Sequence, residues 1–138
     1  MKILFLDDMD ARHVLAREIA SNLGIDVDSV YTAEEAIRKL EHGSYEAACL
    51  DHDLADDHYA GPYVSPSMGG TAHSGRAVAR WISEHGKPEN VLVHSFNPDG
   101  AKAICEHLSD SQHLLKISRA PFGPVSFGRW LLTLGSAA

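Results

Sequence analysis

Two short apolar runs that each end in acid constrain this chain more than any other feature. Ile3-Leu4-Phe5-Leu6 leads into Asp7-Asp8, and Ala47-Ala48-Cys49-Leu50 leads into Asp51-His52-Asp53-Leu54. Runs this short, with no polar break, read as strands buried on both faces, the kind that make parallel sheets covered by helices. Their carboxylates then stand where strands emerge into loops. In an open parallel sheet that carboxyl edge is where ligands bind.

The rest of the chain supplies the alternation such a sheet requires. Strands are expected over 2–7, 27–31, 45–51, 91–94 and 114–118. Helices are expected over 10–22, 32–40, 74–85, 97–108 and 124–134. The first helix should turn Val14, Leu15, Ile19 and Leu23 inward, with Asp8 or Asp10 as its cap and Gly24 as its stop. Thr32-Ala33-Glu34-Glu35 is a capping box, and Asn97-Pro98 is a cap followed by proline at the first helical position. Ser74 caps the third helix, which should face Val78, Trp81 and Ile82 inward and stop at Gly86. Strands alternating with helices, joined by right-handed crossovers, predict a three-layer, doubly wound α/β fold of flavodoxin type with strand order 2-1-3-4-5. The 138 residues suit a single domain. The exception to the alternation is a long segment at about 53–73, with Gly61-Pro62, Ser65-Pro66 and Gly69-Gly70 and no periodicity. Segments of that kind are lids or disordered stretches.

Composition narrows the partners. A net charge of −7 provides no basic field for duplex DNA, although a phosphorylated small molecule, a nucleotide or an RNA end needs only a local site. No leader or membrane span is expected, which makes the cytoplasm the expected location. Cys49 and Cys105 lack metal-finger spacing and read as reduced core thiols.

In strand order 2-1-3-4-5 the carboxyl ends of the first, third and fourth strands lie side by side, bringing Asp7-Asp8, Asp51-His52-Asp53 and His94-Ser95 to one edge. Asp7, Asp8 and Asp51, with Asp53 as a further candidate, offer hard oxygen ligands to a divalent cation, best Mg²⁺. Asp8 has the competing reading of a helix cap, and Asp53 that of a turn cap. His52 and His94 are the candidate acid and base, two imidazoles flanking a phosphodiester. Arg12, one turn beyond Asp8, either clamps a phosphate or pairs with an aspartate. Ser95 and Arg119 are candidate phosphate ligands, and the helix opened by Asn97 presents N–H groups to an anion. His58 and His73 fall in the long segment, as surface residues or as lid or metal groups. No phosphate-binding glycine loop and no Gly-x-Ser-x-Gly elbow is present, which disfavours a nucleoside-triphosphatase or a serine hydrolase.

At these residues the chain resembles the receiver domains of bacterial response regulators. The acidic pair Asp7-Asp8, the strand-end Asp51 and the hydroxyl of Ser95 match in order and spacing. The resemblance implies Mg²⁺ at the acidic trio and a phosphoryl group accepted by Asp51. Where receivers carry Lys-Pro after the fifth strand, this chain reads Arg119-Ala120-Pro121. His52, Asp53 and His94 are also foreign to receivers. They look more like the cyclic-phosphate processing receiver-like domains. Here the shared motifs are Leu6-Asp7-Asp8 with Arg12, Leu50 to Leu54, Ser74-Gly75, and His94-Ser95-Phe96-Asn97-Pro98. That likeness implies a metal-assisted phosphoesterase acting on cyclic or terminal phosphates, with Asp51 as nucleophile or ligand. Two alternatives remain: a stand-alone receiver phosphorylated on Asp51, and a non-catalytic binding domain.

Overall fold

The computed structural model describes residues 1–53 and 74–135. The segment at 54–73, with His58 and His73, lies outside the described residues. Element order is β1 (Lys2–Leu6), α1 (Asp10–Asn22), β2 (Asp26–Val30), α2 (Ala33–His42), β3 (Ala47–Leu50), α3 (Gly75–His85), β4 (Asn90–Val93), α4 (Pro98–Ser109), β5 (Lys116–Arg119) and α5 (Pro124–Gly135). The five strands form one sheet in the order β2-β1-β3-β4-β5, every pairing parallel, as the alternation requires.

Pleating sorts the sheet's side chains into two cores. Leu4, Leu6, Ala48, Leu50, Val91 and Val93 face α2, α3 and α4. Ile3, Phe5, Ala47, Cys49 and Leu92 face α1 and α5. β1 and β3 carry no exposed side chain from Ile3 to Leu6 or from Ala47 to Leu50, as expected of strands buried on both faces. Among the described residues, no helix is long and apolar enough to cross a membrane. Both cysteines are free, Cys49 buried and Cys105 half-buried.

Local signals hold at most helix starts. The Thr32 hydroxyl accepts the Glu35 N–H at 3.1 Å, and the Glu35 carboxylate reaches back to the Tyr31 N–H, one residue beyond the usual target. Ser74 accepts from the Arg76 N–H, and Asn97 accepts from the Gly100 N–H. Gly24, at φ 71°, makes the left-handed turn that ends α1.

Two expectations fail. α1 does not bury Val14 and Leu23, which are 54% and 42% exposed; it seats His13, Ala16 and Ala20 on the sheet instead. The helix packs against Phe5 and α5 through this face, with Ile19 partly buried at its edge, so tertiary packing overrides the apolar count. Leu114 is no part of the fifth strand. It is 89% exposed, and pairing with β4 begins at Lys116. A close α1 seat predicts that Ala20→Leu costs about 1–3 kcal/mol by overpacking. Val14→Ala should stay within about 0.5 kcal/mol. Urea unfolding of the two variants measures both.

Candidate functional site

The register of the central strands builds the site. Leu6, Leu50 and Val93 stand in one row across β1, β3 and β4. The ladder runs one step further, with the Asp51 N–H donating to the Leu6 carbonyl at 3.2 Å and the His94 N–H donating to the Leu50 carbonyl at 3.0 Å. The next row is therefore Asp7, Asp51 and His94, and its pleat points to the α1/α5 face. All three are buried. Ligand oxygens of Asp7, Asp8 and Asp51 lie within 4.8 Å of one another.

Arg12, on the first turn of α1, is the cation of this pocket. Its Nη1 lies 3.1 Å from Asp7 Oδ2 and 3.7 Å from Asp51 Oδ2, and its guanidinium covers the Phe96 ring at 4.7 Å. It pairs with Asp7 and Asp51 rather than with Asp8. Desolvation leaves the acids short of compensation even so. Burial, then the neighbouring Asp7 charge, pushes the Asp51 carboxyl up to about 7, against the pull of Arg12. Burial likewise raises Asp7, opposed by the Met9 N–H and by Arg12. Neither Asp8 nor Asp10 caps α1. The N-cap is Met9, without a side-chain bond, and Asp7 Oδ1 accepts the Met9 N–H at 2.9 Å, so the buried carboxylate steadies the turn that the caps were expected to hold.

Beneath the acids, two buried histidines grip the end of β1. A carbonyl can only accept, so each ring donates through Nε2–H: His94 to Leu6 O at 3.2 Å and His13 to Asp7 O at 2.9 Å. His94 stacks on Phe5, His13 meets the same ring edge-on, and His94 Nδ1 faces Asp7 Oδ2 at 3.6 Å. Burial holds His94 down at about 3, hence neutral. His13 belongs to none of the sequence motifs. Its spacing with Ala16 and Ala20, one polar residue on a face of small ones, was the available signal.

His52 lies on the other face, because it is one residue past Asp51 and the pleat alternates. Its ring rests against α4, and its Nδ1 lies 2.7 Å from Asp53 Oδ1. Asp53 also accepts from Asn97 Nδ2 at 3.2 Å. Burial tends to raise the Asp53 carboxyl, but the bonds from His52 and Asn97 outweigh it and hold it below its ordinary value. The structure does not bring His52 and His94 together as a flanking pair. The acidic trio does not include Asp53, although its charge contributes to raising Asp51. The Ser95 hydroxyl accepts the Asn97 N–H at 3.1 Å in the turn before α4, and Arg119 donates to the Pro98 carbonyl at 3.0 Å.

Chemically, the described residues offer two parts. One is an oxygen pocket of three carboxylates with an arginine at its rim. The other is an imidazole with a carboxylate behind it. The pocket's hard donors and its buried, under-compensated charge fit a divalent cation such as Mg²⁺.

A family model described as the cyclic-phosphate processing receiver domain matches residues 2–110, which takes in every motif above except Arg119. No curated protein matches the chain by sequence. Solved structures similar to it include response-regulator receiver domains. A CheY-like receiver domain from Methylobacillus flagellatus has TM-score 0.66 at 19% identity, covering 97% of this chain and 98% of its own. The Francisella response regulator 1452 receiver domain has TM-score 0.67 at 15% identity, covering 99% and 98%. TrrA of Thermotoga maritima, in complex with Mg²⁺-BeF, has TM-score 0.65 at 19% identity, covering 96% and 97%. At such identities the likeness concerns the fold.

The raised Asp51 carboxyl makes a prediction for the metal-free protein. A carboxyl raised in the folded state stabilises below its ordinary value near 3.8 and loses that contribution as pH climbs to about 7. His94 works in the opposite sense, stabilising above 6.5 and losing that as pH falls toward 3. Comparison with Asp51→Asn separates the two. In EDTA, unfolding free energy of the wild type should fall relative to Asp51→Asn between about pH 4 and 7. Parallel curves would contradict the burial.

Proposed function

The chain belongs to the family of cyclic-phosphate processing receiver domains, and from that premise and the pocket's geometry we propose that it is a metal-assisted phosphoesterase. Its substrate would be a cyclic or terminal phosphate of a nucleotide or an RNA end. The observation that carries this reading is the meeting of Asp7, Asp8 and Asp51 oxygens within 4.8 Å, with the residue after Asp51 a histidine backed by its own carboxylate. A divalent cation held by those three residues would polarise a phosphoryl oxygen and offset the charge that develops on it.

The protein's own groups divide the remaining work. Asn97 Nδ2 donates to Asp53 Oδ1, and the same carboxylate accepts from His52 Nδ1–H, which leaves Nε2 as the basic nitrogen. His52 Nε2 takes the proton of the attacking water. The new P–O bond forms as a ring or terminal ester P–O bond breaks, and the departing oxygen takes its proton from solvent. Arg12 has donors to spare beyond its carboxylate contacts, and with Ser95 it orients the phosphate. Arg119 and the first turn of α4 complete the anion-facing side. His94 is buried and neutral, so its part is to hold the end of β1 through Leu6 rather than to exchange protons with substrate.

A second reading has its own support. Asp51 follows β3 and lies beside two further acids, as the phosphoacceptor of a receiver would, and the similar Thermotoga protein was solved with Mg²⁺-BeF. Arg119 in place of a lysine, and the His52–Asp53 pair, favour processing over acceptance. Incubation with Mg²⁺ and either 2′,3′-cyclic AMP or acetyl phosphate separates the two. The phosphoesterase reading expects turnover of the cyclic nucleotide, reduced about 10²–10⁴-fold by His52→Ala. One acyl phosphate per chain on Asp51, with no turnover of the cyclic nucleotide, would establish the receiver instead.

A further inference from the structure

We propose that Gly100 is a positioning residue for His52: the missing side chain at the third residue of α4 opens the slot in which the imidazole lies. This rests on the reading of His52 as the proton-transfer group.

The slot is defined by contact. A Cβ at Gly100 would collide with His52 Cγ and would stand 2.7 Å from its Nδ1 and 2.8 Å from its Cβ. Ordinary carbon contacts need about 3.5–4.0 Å. The atoms met are the root of the side chain and the near edge of the ring, so a rotation about the last bond relieves nothing. His52 therefore lies directly on the backbone of α4.

A closed circuit then fixes the ring's angle. Gly100 N–H donates to Asn97 Oδ1 at 3.0 Å, and Asn97 Nδ2 donates to Asp53 Oδ1 at 3.2 Å. Asp53 Oδ1 accepts His52 Nδ1–H at 2.7 Å, and the ring returns to Gly100 by packing. Asn97 thus uses both ends of its amide, one for the helix and one for the carboxylate that orients the base. Ser-Gly at the start of α3 closes the same segment from the other side, since Gly75 N–H donates to His52 O at 3.1 Å and a Cβ there would strike the Asp51 carbonyl. Glycine is a poor helix former, so its place in the first turn of α4 is explained by the ring above it rather than by the helix.

A double-mutant cycle tests the slot independently of the reaction. Gly100→Ala should lower Tm in the presence of His52. In the His52→Ala background the same change should leave Tm level or raise it, because the ring is gone and alanine suits the helix. Gly128→Ala is the control: its Cβ would meet Ile19 Cγ2 at 3.7 Å, ordinary contact. An equal Tm loss in both backgrounds overturns the slot. If Gly100→Ala fails to fold, recovery of folding in the double variant supports it, and persistent failure overturns it.

Turnover of 2′,3′-cyclic AMP with Mg²⁺ tests the positioning. Gly100→Ala should lower kcat about 10-fold or more, with KM and the Mg²⁺ midpoint unchanged. The ¹⁵N spectrum of His52 should show loss of the Nδ1–H tautomer. A variant that keeps full kcat, or that shifts the Mg²⁺ midpoint as far as kcat, overturns the role. If His52→Ala itself retains turnover, the phosphoesterase reading fails, and the Tm cycle still decides the slot.

Discussion

Asp7 and Asp51 are carboxylates carried into the buried end of a parallel sheet, and the surroundings of the site are arranged around that burden. Neither acid can ionise there cheaply, because burial strips water from both and each repels the other. Arg12 offsets part of the cost from α1, and the Met9 N–H offsets a little more. The remainder shows as a carboxyl at Asp51 pushed up to about 7. A group of oxygens held together against their own repulsion is a place where a cation binds well. Site and strain share one cause.

The histidines sort by pleat. Asp7, Asp51 and His94 share a row and a face, so His94 meets Phe5 and Asp7 from within and ends up dry. His52 is one residue further along and lies on the opposite face, against α4. One step in register separates an imidazole that props the backbone from one whose second nitrogen has no partner among the described residues. His13 joins His94 in propping, so consecutive carbonyls of the strand that delivers the acids are both held by ring N–H groups.

α4 links the fold to the chemistry. Its cap, Asn97, satisfies the helix and holds Asp53 at once, and its third residue gives up a side chain to make room for His52. The first turn of a helix is rigid and close to the sheet edge. His52 is carried on the segment after β3, and packing against that turn holds its ring in place.

The layered fold, the strand order, most helix starts and the three acids that meet at the sheet edge are legible in the amino-acid sequence. Those features rest on local signals, such as apolar runs, caps and acids at strand ends, and on one topological rule. The sequence did not determine which face α1 buries: Val14 and Leu23 are apolar and exposed, while His13, Ala16 and Ala20 are the helix's fully buried residues and Ile19 packs at their edge. Nor did it determine the partners of the site residues. Arg12 reaches Asp7 and Asp51 rather than Asp8, Asn97 serves Asp53, and Gly100 carries the ring of His52. Those pairings depend on how closely helices approach the sheet and on which way the pleat turns at each strand's end, and only the packed structure sets both. The run from Leu50 to Asp53 was legible as a site. What holds its histidine was not, because half of that support is a side chain that is absent.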